Sequence, residues 1–596
     1  MNGWMGKSLR VNLSTGVVSK DDIDPQVLHL YLGGRGLGVR TLSDEVSPEI
    51  DPLCCGNKLL FAVGPLTGTR APTSGRTSLV TRSPLTETIF DGNCGGWLGP
   101  RLKSCGYDML IVEGASPLPT MLVIQDDQVQ LVECKDLWGK SASETLSSLS
   151  ARYGKKHSVA CIGPAGENLV KMASIMVDNY RTFGRGGVGA VMGSKRLKAI
   201  VVSGSRSVEV ADDKQLDFVV YEANKWLKGN PITSQGLPQF GTPVLLHLVN
   251  AVGALPVRNH QESHTENAEA ISGERIAETI FVKRSGCSHC PIRCGRKTRT
   301  ENASGHGPEY ESLWALGPQC GVYDLQDIAE ANYLCDDLGI DTISAGVTIS
   351  CAMELSSRGI ILDNVPFGDG GAVKELITKI AYRDGIGNDL AEGSLRFARR
   401  YDAEQFAMQC KGLELPAYDP RGMKGMGLAY ATSNRGGCHL RAYMLGPEVL
   451  GIPKLVDRFS FRGKSGLTIY FQNSNTAMDT LVLCRFAGLA LSDEYFARFL
   501  TPVIGQTVLP QDLQIIGERI WNLERLYNIS AGLTSADDNL PIRLTTEPSP
   551  DGSSKGSVVE LSTMLQEYYR CRGWDQNGVP TTAKLRQLGL EGDYDA

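Results

Sequence analysis

Short runs of alternating hydrophobic and polar positions dominate the first 208 residues of the chain. One run covers residues 8–13 and leads into a Ser-Thr-Gly turn, and others begin at Lys58, Thr77 and Met109. Side chains of a strand point alternately to its two faces, so this alternation predicts β-strands. Further runs of this kind cover residues 121–124, 129–132 and 198–202. We therefore predict a β-rich domain over residues 1–208.

A helical period replaces the alternation after about residue 209. The apolar positions of residues 328–338 share one helical face, Gly339 suits a helix end, and Asp341 can cap a second helix. The polar stretch 536–556 contains Pro and Gly and is predicted to be a surface segment. We therefore predict an α+β multidomain protein, with a mainly helical domain over residues 209–412 and another over residues 413–596.

The composition excludes several classes of protein. The 596 residues are 42% hydrophobic and 21% charged, and the net charge of −6 argues against a nucleic-acid partner. No apolar run reaches the roughly 18 residues that a membrane span requires. The N-terminus lacks the basic-then-apolar pattern of a signal peptide. We expect a cytoplasmic protein, in which most of the 16 cysteines are reduced thiols.

Three cysteines, Cys287, Cys290 and Cys294, have the spacing of metal ligands. A C-x2-C-x3-C run lets three sulfurs converge on one small centre, and a [4Fe–4S] cluster often takes a fourth thiolate from a distant residue. Cys484 is the candidate for this fourth ligand. The alternative is a zinc ion held by four thiolates, or by three and a histidine. Zinc sites usually pair two short knuckles, which Cys484 cannot form alone, so the spacing favours the cluster.

Turns that are rich in glycine and arginine indicate an anion-binding loop. Residues 184–189 match the G-x-G-x-x-G pattern, but the predicted strand 198–202 follows too closely for the crossover helix of a dinucleotide fold. We interpret the run as a backbone loop that cradles an anion, with charge from Arg181 and Arg185. The alternative is an ordinary surface turn. Similar turns between predicted strands contain Arg76, Asn93 and Gly95.

Four other residues are candidates for ring recognition or proton transfer. Asp336 and Asp479 lie near predicted helix ends, where a carboxylate can pair with adjacent N–H donors of a guanine or pterin ring. Glu311 lies among aromatic residues, where burial can raise its pKa, and His439 is one of only eight histidines. The alternatives are solvated helix ends for the two aspartates and ordinary core or loop positions for the other two.

Together and in this order, these motifs resemble the aldehyde:ferredoxin oxidoreductase family of tungsten enzymes. The matching strings run along nearly the whole chain and begin at Gly33, Gly64, Ile162, Gly184, Gly307, Leu415 and Asn434. The resemblance implies an N-terminal β platform below two mainly helical domains. It also implies one tungsten (or molybdenum) atom held by the dithiolenes of two pterins, a [4Fe–4S] cluster, and Mg²⁺ between the pterin phosphates.

The resemblance also implies a role for each candidate residue. The cluster would be held by Cys287, Cys290, Cys294 and Cys484. One pterin would be contacted by Asp336, Ile340 and Asp341, and the other by Asp479 and Leu483. The floor under the phosphates and pterins would consist of Arg76, Asn93, Gly95, Arg181, Thr182, Gly184 and Arg185, with Mg²⁺ on backbone carbonyls near Asn93 and Thr182. Protons near the metal would be handled by Glu311 and His439.

The implied function is oxidation of aldehydes to carboxylic acids, with electrons passing through the cluster to ferredoxin or to a ferredoxin-like or flavin subunit. Two alternatives remain: a tungsten subunit that reduces acids or aromatic acyl thioesters within a larger complex, and a non-catalytic iron–sulfur or zinc protein. Family members with a metal between two subunits use an E-x-x-H pair, whereas this chain has Glu330-Ala-Asn-Tyr333. The resemblance therefore does not extend to that metal or to a dimer of that geometry, and the oligomeric state stays open.

Overall fold

The computed structural model describes residues 2–154, 156–178 and 181–592, so the last four residues of the predicted third domain lie outside the described residues. Its N-terminal part consists of two six-stranded sheets. The first sheet has the order β2-β1-β6-β3-β4-β5 and is formed by β1 (Lys7–Asn12), β2 (Val18–Asp22), β3 (Leu59–Ala62), β4 (Thr77–Arg82), β5 (Ile89–Cys94) and β6 (Met109–Glu113). The second has the order β11-β10-β9-β12-β7-β8 and is formed by β7 (Thr120–Gln125), β8 (Gln128–Glu133), β9 (Ser158–Cys161), β10 (Ile175–Val177), β11 (Arg181–Phe183) and β12 (Leu197–Ser203).

The two sheets pack face to face, because their strands alternate as the sequence predicts. Leu9 and Leu110 of the first sheet share one hydrophobic core with Leu122 and Ile200 of the second. The opposite face of the first sheet packs against helix Gly34–Glu45, whereas the opposite face of the second is covered by helix Ala142–Tyr153. β1 with β6 and β12 with β7 are parallel pairs, and the other pairs in these sheets are antiparallel.

Helices dominate the chain after residue 209. The longer helices are Asp213–Gly229, Leu325–Leu338, Thr342–Ser357, Gly370–Tyr382, Lys464–Thr480, Asp493–Ile504, Pro510–Ser530 and Leu561–Arg572. Shorter helices along the chain are Pro25–Tyr31, Leu98–Ser104, Val188–Ser194, Leu246–Ala251, Gly273–Thr279, Tyr310–Leu316, Ser394–Arg399, Lys424–Thr432 and Thr582–Leu588. Two small sheets interrupt them, formed by β13 (Phe281–Ser285), β14 (Gly295–Arg299) and β15 (Ser304–His306), and by β16 (Gln409–Cys410) and β17 (Leu413–Glu414).

The α+β architecture confirms the prediction from the sequence, and the predicted caps explain two helix ends near the site. Gly339 ends helix Leu325–Leu338 with a left-handed φ of 76°, which glycine adopts without steric cost. Asp341 begins the next helix by accepting hydrogen bonds from the backbone N–H groups of Ile343 and Ser344, each at 3.2 Å. The chain therefore turns sharply between two helices at residues 339–341.

The prediction of a surface segment over residues 536–556 is wrong for its central part. Arg543 and Leu544 are buried in helix Ile542–Thr546, and the Arg543 guanidinium donates to the buried Glu354 carboxylate at 2.6 Å. The polar composition of this stretch is satisfied by partners that lie far away in the sequence. None of the helices among the described residues is long and apolar enough to cross a membrane.

Candidate functional site

All of the residues that the sequence predicts for the site line two adjoining cavities between the first domain and the helices. The larger cavity has a volume of about 370 Å³ and the smaller one about 200 Å³. The larger cavity is lined by Arg76, Asn93, Arg181, Thr182, Gly184, Arg185, Cys287, Cys290, Cys294, Glu311, Asp341, His439, Asp479, Leu483 and Cys484. The smaller one shares part of this wall and adds Gly95, Asp336 and Ile340.

The backbone of Thr73 joins the cysteine triplet to Cys484. Its N–H donates to the carbonyl of His289 at 3.1 Å, and its carbonyl accepts from the N–H of Cys484 at 3.1 Å. Thr73 has a positive φ of 65°, an uncommon conformation for a residue with a branched side chain. Two segments nearly 200 residues apart therefore meet at one residue of the first domain, which the sequence did not indicate.

Two glycines let the first domain approach the cysteine loop closely. A Cβ atom on Gly75 would lie 2.7 Å from the carbonyl oxygen of Ser288, and one on Gly95 would lie 2.5 Å from Cys287 Sγ. The N–H of Ser288 donates to the carbonyl of Gly96 at 3.2 Å. Cys287, Cys290, Cys294 and Cys484 are all partly exposed to the cavity, whereas most of the other cysteines are buried.

The two helix-end acids have very different surroundings. Asp336 lies in the last turn of helix Leu325–Leu338 and lines the smaller cavity, and no hydrogen bond to its carboxyl group occurs among the described residues. Burial raises its pKa to about 7. Asp479 instead lies at the end of helix Lys464–Thr480 and is paired with three guanidinium groups: Arg485 at 3.1 Å, Arg441 at 3.3 Å and Arg35 at 3.4 Å.

Arg35 is the centre of a buried charge network under the larger cavity. It forms a two-pronged ion pair with Glu524, at 2.7 and 2.6 Å, and lies 3.4 Å from Asp91. Arg441 also pairs with Asp91 at 2.9 Å. The pKa of Asp91 is lowered to about 2 by the positive charges of Arg35, Arg441 and Arg435, although burial alone would raise this pKa. The network holds helix Gly34–Glu45 against the C-terminal helices below the site.

Two arginines of the predicted floor, Arg76 and Arg185, are held by neighbouring side chains and backbone carbonyls. Arg76 donates from Nε to Asn93 Oδ1 at 2.7 Å, and its Nη1 lies 3.8 Å from Cys484 Sγ. Asn93 lies in strand β5, so the prediction that it occupies a turn is wrong: its strand pairs with β4 at the sheet edge. Arg185 donates to Asp341 at 3.1 Å and to the carbonyl of Gly437 at 2.9 Å.

Glu311 and His439 lie together on the wall of the larger cavity. Their closest atoms, Glu311 Oε1 and His439 Nε2, are 3.5 Å apart, and the other Glu311 oxygen accepts from the N–H of Ala417 at 3.0 Å. Burial raises the pKa of Glu311 to about 8. Burial and the positive charges of nearby arginines lower the pKa of His439 well below its usual value. The pair is therefore a protonated acid beside a neutral imidazole at neutral pH.

Aromatic rings surround this pair. Tyr418 and Tyr443 lie 5.5 and 6.0 Å from the His439 ring between ring centres, and their hydroxyl groups are 3.3 Å apart. Tyr310 packs on Tyr418 at 5.6 Å. These rings give the acid–imidazole pair an apolar surround with a few hydroxyl groups, which is typical of pockets for small organic ligands.

A buried thiol, Cys438, lies beside His439 and was not among the residues predicted from the sequence. Arg435 Nη2 lies 2.9 Å from Cys438 Sγ, and both residues line the larger cavity. The pKa of the Cys438 thiol is lowered to about 7 by the positive charges of Arg435, Arg441 and Arg185, although burial alone would raise this pKa. Arg435 and Cys438 belong to the string that begins at Asn434, so their place in that motif was the available signal.

In the Glu330-Ala-Asn-Tyr333 segment, Glu330 and Tyr333 form an ion pair and hydrogen bonds with other side chains of this chain. The Glu330 carboxylate pairs with Lys374 Nζ at 2.9 Å and accepts from Thr300 Oγ1 at 3.0 Å. The Tyr333 hydroxyl lies 2.6 Å from Thr298 Oγ1. An ammonium group thus balances the charge of Glu330 within this chain.

Two family models match nearly the whole chain. The aldehyde ferredoxin oxidoreductase N-terminal domain matches residues 8–204, and aldehyde ferredoxin oxidoreductase domains 2 and 3 match residues 219–590. The tungsten-containing aldehyde ferredoxin oxidoreductase of Pyrococcus furiosus is 45% identical over 605 residues, covering 100% of both chains. That of Thermococcus kodakarensis is 45% identical over 601 residues and 99% of both. Among solved structures, the active site complex BamBC of benzoyl coenzyme A reductase with 1,5-dienoyl-CoA superposes with a TM-score of 0.86 and 25% identity, covering 99% of this chain and 98% of that one.

Proposed function

This chain belongs to the aldehyde ferredoxin oxidoreductase family and is an oxidoreductase of that type. From this membership we propose that it oxidises aldehydes to carboxylic acids at a tungsten centre. In the proposal, electrons leave through a [4Fe–4S] cluster to ferredoxin or a ferredoxin-like or flavin subunit. The observation that carries the proposal is the convergence of every predicted site residue on two adjoining cavities, with an acid–imidazole pair in the wall of one.

The donor groups around the cavities suit a large anionic cofactor with heteroaromatic rings. Arginines on the wall of the larger cavity supply charge for phosphate groups, and they are Arg76, Arg181, Arg185, Arg435, Arg441 and Arg485. The Asp336 carboxyl group, which lacks a protein donor among the described residues, suits the adjacent N–H groups of a pterin edge. Both features support a bis-pterin cofactor, and Mg²⁺ with its phosphates stays a proposal that rests on the family resemblance.

We assign the cofactor contacts to individual residues as follows. Asp336, Ile340 and Asp341 would hold one pterin, and Asp479 with Leu483 would hold the other. Asp479 already carries three arginine partners, so it contributes one end of a charged network rather than an isolated carboxylate. The phosphate and pterin floor would be formed by Arg76, Asn93, Gly95, Arg181, Thr182, Gly184 and Arg185.

The cysteine arrangement supports a multinuclear centre at Cys287, Cys290, Cys294 and Cys484. The four thiols line a common cavity, yet no group of three His, Cys, Asp or Glu side chains within residues 2–154, 156–178 and 181–592 is arranged to hold a metal ion. A [4Fe–4S] cluster takes four cysteine thiolates, here three from one short loop and one from a distant residue, whereas a zinc site usually pairs two short knuckles, which Cys484 cannot form alone. We therefore retain the [4Fe–4S] proposal over zinc.

The tungsten–pterin group, when bound, supplies the two-electron redox chemistry of the reaction. An aldehyde and water together give a carboxylate, two electrons and three protons, so the protein has to remove protons. Glu311 accepts one of these protons in its ionised form, which is the minor form at neutral pH because its pKa is about 8, and the neutral His439 imidazole donates a hydrogen bond to the carbonyl oxygen of the substrate. Tyr418 and Tyr443 exclude bulk water from this pair by packing on His439.

The fold similarity to the benzoyl coenzyme A reductase complex favours one alternative reaction. A related tungsten subunit would reduce activated acids or aromatic acyl thioesters within a larger assembly. Supplying the purified protein with aldehydes and an oxidised dye, and separately with acids or thioesters and a strong reductant, distinguishes the two directions. Turnover only in the reductive arm would replace aldehyde oxidation by this second function.

Metal and pterin analysis of the anaerobically purified protein tests the proposal. We expect tungsten or molybdenum, two pterins per metal, and iron with labile sulfide, together with aldehyde-dependent dye reduction. A protein without either metal and without pterin would instead be the non-catalytic iron–sulfur or zinc protein. The three-domain division and the cytoplasmic location remain predictions, which limited proteolysis and cell fractionation test, and light scattering would determine the oligomeric state.

A further inference from the structure

The strands that flank the cysteine triplet carry an unusual concentration of positive charge. We call residues 281–299, which comprise β13, the cysteine loop and β14, the cysteine hairpin. Residues 279–300 contain six basic residues and no acid, although the whole chain has a net charge of −6. The five that are exposed or partly exposed are Lys283, Arg284, Arg293, Lys297 and Arg299.

Within the described part of the chain, no carboxylate forms a salt bridge with any of these five cations. In the pairing of β13 with β14, Lys283 lies directly opposite Lys297. Like charges at opposite positions of a strand pair are destabilising. The hairpin therefore keeps a repulsive arrangement that a negatively charged partner would relieve.

The positive surface surrounds the point where the thiols come nearest to solvent. His289, Pro291 and Arg293 at the tip of the loop are exposed, and the thiols beside them are partly exposed. The carbonyl of Gly96 accepts the N–H of Ser288 in the cysteine loop, and the next residue in the chain is Trp97, whose large side chain is 41% exposed. The Arg101 guanidinium lies over the Trp97 ring at 5.9 Å, and exposed tryptophan and arginine are enriched at protein interfaces.

We propose that the cysteine hairpin and Trp97 form the docking site of a small, acidic iron–sulfur protein of the ferredoxin class. The inference rests on the proposed function, in which two electrons per aldehyde leave through the centre that these cysteines hold. A one-electron carrier has to bind, be reduced and leave twice per turnover. Electrostatic steering of an acidic carrier to exposed cations makes such short-lived encounters fast.

The test is a charge-reversed double variant, Lys283→Glu with Arg284→Glu, in the full-length holoenzyme. Both residues are exposed and contribute nothing to the cavity walls. Replacing Lys283 also removes its repulsion with Lys297, so we expect no loss of folding. The matched control is Lys555→Glu with Arg570→Glu, two exposed cations outside the hairpin, of which Arg570 lies on a helix that packs against Lys464–Thr480.

Aldehyde oxidation is measured with an acidic bacterial ferredoxin and, separately, with an uncharged quinone dye, at low and high salt. Steering contributes roughly 10- to 1000-fold to association rates, so we expect kcat/KM for ferredoxin to fall about tenfold or more at low salt in the hairpin variant. Its salt dependence should flatten, while the dye rate and the control variant stay at the wild-type level. A neutral pair, Lys283→Gln with Arg284→Gln, should show a smaller loss in the same direction.

Equal ferredoxin kinetics in the hairpin variant and the control would overturn the docking proposal. If the wild-type protein lacks aldehyde activity with the dye, the proposed function fails, and docking is then judged by direct titration of ferredoxin. In that case, ferredoxin binding that weakens with salt and with the hairpin substitutions supports the docking site. Ferredoxin binding that changes with neither salt nor the substitutions refutes it. Trp97→Ala should weaken ferredoxin binding without changing how steeply the affinity falls with salt, because this substitution removes contact area and no charge.

Discussion

Substitution of Gly95 by alanine tests whether Cys287 is a cluster ligand. The added methyl group would lie 2.5 Å from Cys287 Sγ, whereas ordinary contacts begin at 3.4 Å. The sulfur would therefore have to move by the difference, about 0.9 Å. Metal–ligand distances stay within about 0.2 Å of their standard values, so a bound sulfur cannot make such a shift while the metal stays in place. The φ of Gly95 lies outside the left-handed region, so alanine adds no backbone strain there.

A free Cys287 thiol and a Cys287 thiolate that is bound to iron respond differently to this methyl group. A free, partly exposed thiol rotates to another staggered position at little cost, whereas a thiolate that is bound to iron cannot rotate without breaking the bond. We expect Gly95→Ala to lose most of its iron and labile sulfide and the visible absorbance of the cluster, while the far-ultraviolet circular dichroism stays unchanged.

A neighbouring glycine provides the matched control. Gly92 lies in the same strand, and its added Cβ would lie 3.6 Å from the nearest atom, in Phe183, which is an ordinary contact. Gly92→Ala should keep its iron content. If Gly95→Ala also keeps full iron content and an unchanged electron paramagnetic resonance signal after reduction, Cys287 is not a ligand and the geometric reasoning fails.

Three further predictions address the proton acceptor, the fourth thiolate and the buried charges. Glu311 accepts a proton only when ionised, and burial raises its pKa to about 8, so wild-type turnover should rise with pH through about 8. Glu311→Gln should lower kcat by roughly 10²- to 10⁴-fold and abolish that rise, with metal content intact; an unchanged pH–rate profile would contradict this role. Cys484→Ala should reduce both iron and pterin content, whereas Cys571→Ala, at an exposed thiol, should change neither. A normal cluster signal and a normal rate in Cys484→Ala would contradict the assignment of Cys484 as the fourth cluster ligand. Arg35→Met leaves the buried Glu524 carboxylate without its ion-pair partner, so a urea titration should show a loss of roughly 3–5 kcal/mol in the free energy of unfolding, and a loss below about 1 kcal/mol would show that the network is not coupled.

Local patterns predicted the elements, but short or polar strands escaped them. The strands around β1, β4, β6 and β7 were predicted because their apolar positions alternate over several residues. β10 and β11 have only three residues each, and β11 begins with Arg181 and Thr182, so neither shows a readable period. β5 contains Asp91-Gly92-Asn93, which favours turns, and it is a strand because β4 pairs with it along six residues.

The sequence by itself determined the spacing of the cysteine triplet, the helix ends at Gly339 and Asp341, and the family motifs, because each depends on residues that are close in the chain. Only the tertiary structure decided that Thr73 joins the triplet to Cys484, and that three arginines surround Asp479 while Asp336 faces a cavity without a protein donor among the described residues. It also decided that Lys283, Arg284, Arg293, Lys297 and Arg299 of the cysteine hairpin form no salt bridge with any described residue. The reason is physical: hydrogen bonds and ion pairs between distant residues exist only after packing brings the partners together, and nothing in the local sequence of either partner specifies the other.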